Sequence, residues 1–296
     1  MKFVYYLKNS EKKVGIMKNA HSILDISDFY SSKGIKKPKD INELLDSWDD
    51  LFLEEIKKFI TENKATSNLT DVKLLAPIEY PKRNLLCLGK NYLDHAKEIV
   101  GLSGSEDNIP KFPIYFSKIA DPAIGDGDII QSHKEITEMV DYEVELGVII
   151  GKDGINIKPE EVEDYIFGYT IVNDVSARNI QRKHGQWFKG KCLETFCPMG
   201  PVIAHKSEIP FPVELDIKCS VNDELRQNSN TKMLIFDIPT IISDLSKGMY
   251  LRKGDIIITG TPSGVGLGFK PFKFLKPGDK VVCEIEKIGT LTNTVK

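Results

Sequence analysis

The chain has 296 residues, of which 41% are hydrophobic and 28% are charged, and its formal net charge is −3 at pH 7. This composition is typical of a soluble globular protein of one or two domains, while the weak charge argues against nucleic acid as a partner and no apolar run approaches the roughly 20 residues of a membrane span. The five cysteines form no C-x-x-C pair and follow no signal peptide, which predicts reduced thiols and a cytoplasmic location.

The chain is predicted to divide into two domains. Residues 1–80 read as a small α+β domain that begins with a hairpin over residues 1–16. Residues 74–83 contain two prolines and are expected to link this domain to a second one, residues 81–296. No cluster of His, Asp and Glu marks a site in the first 80 residues, so a structural or dimer-supporting role is expected for them.

One long amphipathic helix is predicted in the first domain. Asp40 is a suitable N-cap, and Glu43 follows three residues later in a capping-box pattern. Apolar residues then recur at helical spacing from Ile41 to Ile60. The pattern therefore predicts a single helix over this stretch.

His95 and Glu98 lie in the stretch 91–100, which follows a short apolar strand over residues 84–89. If the stretch is helical, the two side chains share one face and can touch. A carboxylate beside an imidazole fixes its tautomer and raises its basicity, as a general base acting on water requires, although a solvated surface pair fits the same spacing. Because residues 101–113 are rich in glycine and serine, the helix before them is a candidate mobile lid.

Three carboxylates are candidates for a metal site. Glu143 and Glu145 lie two residues apart in the apolar stretch 141–151, so a strand would place both on one face. Asp174 lies just where the apolar strand predicted over residues 165–172 stops, after Asn173. Two solvated glutamates on a half-exposed strand are the alternative. Three carboxylates without His or Cys predict a hard, oxygen-ligated cation, Mg²⁺ or Mn²⁺, with Ca²⁺ as a further candidate and Zn²⁺ disfavoured.

Arg178, Gln181 and Lys191 are candidates for contacts with a substrate. Arg178 and Gln181 share one face if a helix begins there, and the planar fork of Arg suits a carboxylate, although an ordinary helix-surface Arg fits equally. Lys191 lies in a stretch bounded by glycine and proline, residues 190–201, which is predicted to be an irregular loop. Cys197 in the same stretch is expected to be a buried structural thiol rather than a nucleophile.

The last third of the chain alternates apolar and polar residues, which predicts a mostly antiparallel β-structure. Residues 259–268 read T-G-T-P-S-G-V-G-L-G and match neither a P-loop nor a dinucleotide fingerprint. Backbone N–H groups of these glycines, with the hydroxyl of Thr261, are suited to holding a small carboxylate. A tight β-turn is the alternative for this loop.

Five motifs occur in an order that resembles the fumarylacetoacetate hydrolase family, from about Arg83 to the C-terminus. They are G-K-N-Y-x-D-H-x-K-E, D-Y-E-V-E-L-G-V-I-I-G, N-D-V-S-A-R-x-x-Q, G-K-x-x-x-T-F-C-P-M-G-P and T-G-T-P-S-G-V-G. The resemblance implies an α+β, mainly β fold with the mixed β-roll of that family, preceded by a small extra N-terminal domain. It also implies a homodimer.

The same resemblance implies roles for individual residues. A divalent metal would be held by Glu143, Glu145 and Asp174, and catalysis would use a water-activating dyad of His95 and Glu98 together with Lys191. The implied substrate contacts are Arg178, Gln181, Thr261 and Lys118. Two departures from the family pattern lie beside these positions, namely Ile119 in place of a proline and the sequence C-L-E at residues 192–194.

The function predicted from this site is hydrolysis of a carbon–carbon bond in a 2,4-dioxo acid of the acylpyruvate type through a metal-stabilised enolate. The same enolate chemistry would serve a decarboxylase of oxaloacetate type or an isomerase of unsaturated 2-oxo acids. A non-catalytic module that binds a metal is the alternative from another class. Under each of the enzyme hypotheses, the protein binds a small oxo acid as its substrate.

Overall fold

The computed structural model describes residues 1–99 and 109–296, and its fold is the predicted α+β, mainly β class. Most of the segment 101–113, on which the expectation of a mobile lid depends, lies outside the described residues. Within those residues, no helix is both long and apolar enough to cross a membrane.

Strands outnumber helices in the part of the chain that the structure describes. The strands are β1 (Lys2–Lys8), β2 (Glu11–Asn19), β3 (Ser22–Asp25), β4 (Ser67–Asn68), β5 (Lys73–Leu74), β6 (Leu85–Gly89), β7 (Ile114–Lys118), β8 (Ile129–Ile130), β9 (Val140–Asp141), β10 (Val144–Ile150), β11 (Ile166–Asn173), β12 (Ser176–Ala177), β13 (Met199–His205), β14 (Asp216–Val221), β15 (Glu224–Asn230), β16 (Ile256–Ile258), β17 (Lys280–Ile285) and β18 (Gly289–Val295). The helices are α1 (Ser27–Ser32), α2 (Ile41–Ser47), α3 (Phe52–Glu62), α4 (Leu93–Glu98), α5 (Val162–Tyr165), α6 (Arg178–His184), α7 (Phe188–Lys191) and α8 (Ile238–Ser246).

Two sheets carry most of these strands. The larger one has the order β4-β3-β2-β1-β13-β11-β10-β16-β6-β7, with β5 paired to β1, and the smaller one has the order β15-β14-β17-β18-β8. Neighbouring strands are antiparallel except for the β16–β6 and β18–β8 pairs. The antiparallel structure predicted for the last third is therefore confirmed. The fully buried strands β10 and β11 lie in the middle of the larger sheet, so the residues at their ends are held rigidly.

The N-terminal strands continue the larger sheet. β1 pairs with β13, with Lys2 opposite Ala204, and the predicted hairpin is formed by β1 and β2. Phe3 packs against Trp48 and Phe167 with ring centroids 5.4 and 5.3 Å apart. The first strand thus shares both hydrogen bonds and core packing with the rest of the chain, while the boundary near residue 80 stays a prediction.

The single long helix predicted after Asp40 is wrong, because the chain forms two helices, α2 and α3. The N-cap at Asp40 is confirmed, since its side chain accepts the N–H of the third helical residue at 2.8 Å. Between the helices, Trp48 has an extended backbone, and its indole N–H donates to Asp50 at 3.0 Å. The carboxylate of Asp49 accepts the N–H of Leu51 at 2.9 Å. Such local side-chain bonds compete with helical ones and end the helix.

His205 is a buried histidine that no catalytic prediction includes. It is 1% exposed, and its ring lies 5.4 Å from Trp48 and 5.2 Å from Phe167. Burial lowers its pKa to about 4. Because the folded protein holds the neutral ring, its stabilising contribution is complete above the ordinary pKa of about 6.5 and is lost as the pH falls towards 4.

We expect the variant His205→Asn to lose less stability on acidification than the wild type, because Asn cannot take up a proton and keeps an acceptor for the N–H of Ser207. Urea unfolding at pH 7 and pH 4.5 measures the difference, which should be on the order of 2 kcal/mol. His184→Asn, at an exposed histidine, is the matched control and should follow the wild type. If His205→Asn and the wild type lost equal stability on acidification, the conclusion that the folded protein holds the neutral ring of His205 would be contradicted.

Candidate active site

Three buried carboxylates meet where β10 begins and β11 ends. Glu143 directly precedes β10, Glu145 is its second residue, and Asp174 directly follows β11. The two strands are antiparallel neighbours, so these ends lie side by side, and the N–H of Asp174 donates to the carbonyl of Glu143 at 2.8 Å. One carboxylate oxygen from each residue lies within 4.8 Å of the other two. The side-chain alternation within the strand therefore brings the predicted metal ligands together.

Glu145 has the least favourable environment of the three carboxylates. Burial, with the charges of Asp174 and Glu143, raises its pKa well above the ordinary value. The backbone N–H of Gly260 donates to its carboxylate at 2.7 Å. A buried carboxylate facing two like charges is costly unless a cation or a proton compensates it.

Two buried cations compensate Glu143. The ammonium of Lys191 donates to its Oε2 at 2.7 Å and also bonds Asp174, and the guanidinium of Arg178 lies 2.6 Å from its Oε1. Burial raises the pKa of Glu143, but the charges of Lys191 and Arg178 outweigh burial and hold it below the ordinary value. Glu143 is thus ionised, as a metal ligand must be.

The carboxylate cluster fits a divalent cation. Its donors are oxygens only, and they come from rigid strand ends rather than from mobile loops. Hard cations such as Mg²⁺, Mn²⁺ and Ca²⁺ prefer such a set, and Glu143, Glu145 and Asp174 are the residues that would hold one.

Lys118 is not among the residues that line the cavity, and its role as a substrate contact stays a prediction. The side chain is 0% exposed and pairs with Asp174, with 2.8 Å between Nζ and Oδ1. Its ammonium also donates to the carbonyls of Val175 at 3.1 Å and Lys191 at 2.5 Å. Lys118 therefore positions the carboxylate and the lysine that border the site.

The predicted pairing of His95 with Glu98 is confirmed. Both side chains lie on α4, with 3.2 Å between Nδ1 of His95 and Oε2 of Glu98. The other oxygen of Glu98 accepts the N–H of Gly264 at 2.8 Å. A Cβ atom placed on Gly268 would lie 2.0 Å from that same oxygen, so the glycine loop fits closely against the pair.

The glycine loop at residues 259–268 binds carboxylates of the protein itself. Three of its backbone N–H groups donate to buried or half-buried acidic side chains at 2.6 to 2.8 Å. The pairs are Gly260 with Glu145, Gly264 with Glu98, and Gly266 with Asp141. These N–H groups are therefore not available for the small carboxylate ligand that the sequence suggested for this loop. They fix the acidic groups around the site instead.

Asp141 is a site residue that the sequence interpretation missed. It is fully buried and accepts the Nε–H of Arg178 at 2.8 Å. It also accepts the N–H groups of Gly266 at 2.6 Å and Leu267 at 3.0 Å. Asp141 thus ties Arg178 to the glycine loop. Its position two residues before Glu143 continues the acidic alternation and was the signal available in the sequence.

Residues 190–201 are more regular than predicted. Lys191 is the last residue of the short helix α7 and is 3% exposed, instead of lying in an irregular loop. Cys197 is buried, as predicted for a structural thiol, and burial raises its pKa to about 12. The two departures from the family pattern touch each other, because the N–H of Ile119 donates to Sγ of Cys192 at 3.2 Å. A proline at position 119 has no N–H for this bond.

A cavity of about 350 Å³ opens onto these groups. Seven predicted site residues line it, namely His95, Glu143, Glu145, Arg178, Gln181, Lys191 and Thr261. Thr261 is held by its own bonds, since its hydroxyl donates to the carbonyl of Val144 at 2.9 Å and accepts from Gln227 at 2.8 Å. Further wall residues that the sequence interpretation missed include Lys90, Phe116, Arg182 and Trp187. The arrangement can bind a small anionic molecule beside a cation site and a histidine.

The chain is similar to known proteins over most of its length. Residues 84–296 match the family described as fumarylacetoacetate (FAA) hydrolase C-terminal. The chain is 53% identical to the oxaloacetate tautomerase YisK of Bacillus subtilis (strain 168) over 228 residues, which are 77% of this chain and 74% of that protein.

Solved structures share the fold over the whole chain. A fumarylacetoacetate hydrolase from Exiguobacterium antarcticum has a TM-score of 0.82 and 36% identity, covering 100% of this chain and 99% of its own. The maleylpyruvate hydrolase of Sphingobium sp. SYK-6, solved with manganese(II) and pyruvate, has a TM-score of 0.77 and 27% identity, covering 100% and 98%.

Proposed function

Because the chain belongs to the fumarylacetoacetate hydrolase family of metal-dependent enzymes, we propose that it catalyses keto–enol tautomerisation of a small 2-oxo acid. The observation that carries the proposal is the buried cluster of Glu143, Glu145 and Asp174 beside a cavity that His95 also lines. The 53% identity to an oxaloacetate tautomerase supports this reaction over the hydrolysis predicted from the sequence.

The cations at the site suit an anionic substrate. When bound, a divalent cation supplies Lewis-acid stabilisation of negative charge that develops on an oxo acid. Burial lowers the pKa of Lys191, but the charges of Asp174 and Glu143 raise it by more than burial lowers it. The pKa of Lys191 therefore lies above its ordinary value. Lys191 is therefore a fixed positive charge rather than a base, and it balances the negative charge of the enolate form.

His95 is the proposed proton carrier. Its Nδ1 is occupied by Glu98, which leaves Nε2 to exchange a proton with the substrate. In the direction from enol to keto form, Nε2 of His95 takes the proton of the C2 hydroxyl and delivers it to C3, so His95 returns to its starting state. Glu98 and Gly264 hold the ring in place, so little reorganisation is needed for the transfer.

The test follows the conversion of enol oxaloacetate to its keto form through the loss of the ultraviolet absorbance of the enol. We expect the protein with Mg²⁺ or Mn²⁺ to exceed the rate of the same buffer with the metal alone, and chelation by EDTA to remove the excess. A rate no higher than that of the metal in buffer would overturn the proposal.

Carbon–carbon hydrolysis of a 2,4-dioxo acid is the second candidate. The specific observation in its favour is the contact of His95 with Glu98, which also suits activation of water. Acetylpyruvate cleavage and oxaloacetate decarboxylation, measured on the same preparation, distinguish these reactions from tautomerisation. The homodimer and the cytoplasmic location stay predictions.

We expect Gly268→Ala to lower kcat roughly tenfold, which corresponds to about 1.4 kcal/mol, because the added Cβ displaces the carboxylate of Glu98. The control is the double variant Gly268→Ala with Glu98→Ala. If the methyl group acts through Glu98, adding it to Glu98→Ala changes kcat little further. Equal losses in the presence and absence of Glu98 would show that the glycine matters for another reason.

A further inference from the structure

Arg182 is a cation on the cavity wall that the proposed mechanism does not use. It is exposed, and its side chain forms no ion pair or hydrogen bond with residues 1–99 or 109–296. It lies on α6 one turn after Arg178. Residues four apart on a helix share a face and are about 6 Å apart along its axis, so Arg182 presents a second guanidinium to the same cavity.

The charges beneath the cavity are nearly balanced without Arg182. The buried carboxylates are Asp141, Glu143, Glu145 and Asp174, and the buried cations that contact them are Lys118, Arg178 and Lys191. A divalent cation turns the single excess negative charge into a single positive one, which one carboxylate of a 2-oxo acid neutralises. The charge of Arg182 then has no counterpart among residues 1–99 and 109–296 or in a monocarboxylic substrate.

We propose that Arg182 binds the second carboxylate of a dicarboxylic 2-oxo acid and thereby sets the substrate class. This inference rests on the proposed function, because it concerns the same cavity and the same reaction. The planar guanidinium forms two parallel hydrogen bonds with a carboxylate, which makes Arg a selective partner for that group. Arg178 is already paired with Asp141 and Glu143. Arg182 is therefore the arginine on α6 that is available to bind the second carboxylate of the substrate.

The test compares two inert 2-hydroxy acids by calorimetric titration in the presence of Mg²⁺. L-malate has two carboxylates, whereas L-lactate has only one. Neither acid contains a ketone, so neither can be enolised. We expect the wild type to bind malate more tightly than lactate. Arg182→Gln should weaken malate binding about tenfold or more and leave lactate binding unchanged, because only malate loses a charge-assisted pair.

Lys183→Gln is the matched control, since Lys183 is the next residue on α6, is exposed and does not line the cavity. It removes the same charge and should leave both affinities at wild-type values. Equal binding of malate and lactate by the wild type would overturn the inference, and so would an unchanged malate preference in Arg182→Gln. An equal loss in Lys183→Gln and Arg182→Gln would also overturn it, because general charge rather than contact would then explain the effect.

The enol oxaloacetate assay on the same preparation separates this inference from the proposed function. A protein that ketonises oxaloacetate but shows no malate preference overturns the role of Arg182 alone. A protein that prefers malate through Arg182 but does not ketonise oxaloacetate overturns the tautomerase and supports the dicarboxylate site.

Discussion

Replacing His95 with Gln is expected to lower kcat for enol oxaloacetate by at least about 10²-fold, the usual contribution of a general acid–base group. Gln cannot take up and release a proton, although it can occupy the same buried position next to Glu98. Because His95 is not one of the clustered carboxylates, Mg²⁺ affinity should stay at its wild-type value. The variant therefore separates proton transfer from metal binding.

The measurement pairs kcat from the ultraviolet assay with the Mg²⁺ dissociation constant from calorimetry. Glu98→Gln should show a smaller loss in kcat, because the imidazole remains and only its orientation changes. His21→Gln, at an exposed histidine in the N-terminal region, is the matched control and should be fully active. If His95→Gln kept wild-type turnover, another group would have to carry the proton, and the proposed mechanism would fail.

The acidic cluster could be predicted because it depends on short-range rules. Side chains two residues apart on a strand share a face, which relates Glu143 to Glu145. Asp174 is at the end of the next long apolar strand, and an antiparallel pairing of neighbours in sequence brings that end back to Glu143. The pairing of His95 with Glu98 follows in the same way from helical spacing.

The features that were missed depend on contacts between distant parts of the chain. Asp141 accepts an N–H from Gly266, which is 125 residues away, and Gly264 reaches Glu98 across 166 residues. The contact of Lys118 with Asp174 likewise joins distant parts of the chain, and only the fold shows it. Local sequence patterns carry no information about contacts between residues so far apart in the chain. The sequence therefore identified the reactive groups better than the residues that position them.

The break between α2 and α3 has a different cause. Apolar spacing continued across it, since Trp48 and Ile56 are both buried, and the prediction therefore joined the two helices. The carboxylates of Asp49 and Asp50 form bonds that end the first helix, and periodicity carries no information about them. Hydrophobic pattern predicted which residues face the core but not where the backbone turns.

Glu145→Gln is expected to have opposite effects on the protein with and without metal. Gln has the same shape and can still accept the N–H of Gly260, but it removes the buried charge that Asp174 and Glu143 repel. The metal-free variant should therefore melt at a higher temperature than the metal-free wild type at pH 7. Metal affinity should fall by more than the roughly 10- to 100-fold that loss of an outer partner costs, because a direct ligand is lost, and turnover should fall with it.

The pH dependence of the metal-free proteins tests the cause of that gain. Burial and like charges raise the pKa of Glu145 in the folded state, so at low pH the side chain is protonated in both states and costs nothing. As the pH rises above the ordinary pKa, the unfolded state ionises first and the folded wild type becomes relatively less stable. The advantage of Glu145→Gln should thus be absent near pH 4 and should grow towards neutral pH in thermal unfolding with EDTA. If the gain in melting temperature were constant with pH, or if the variant melted below the wild type at pH 7, the charge of Glu145 would not destabilise the metal-free protein.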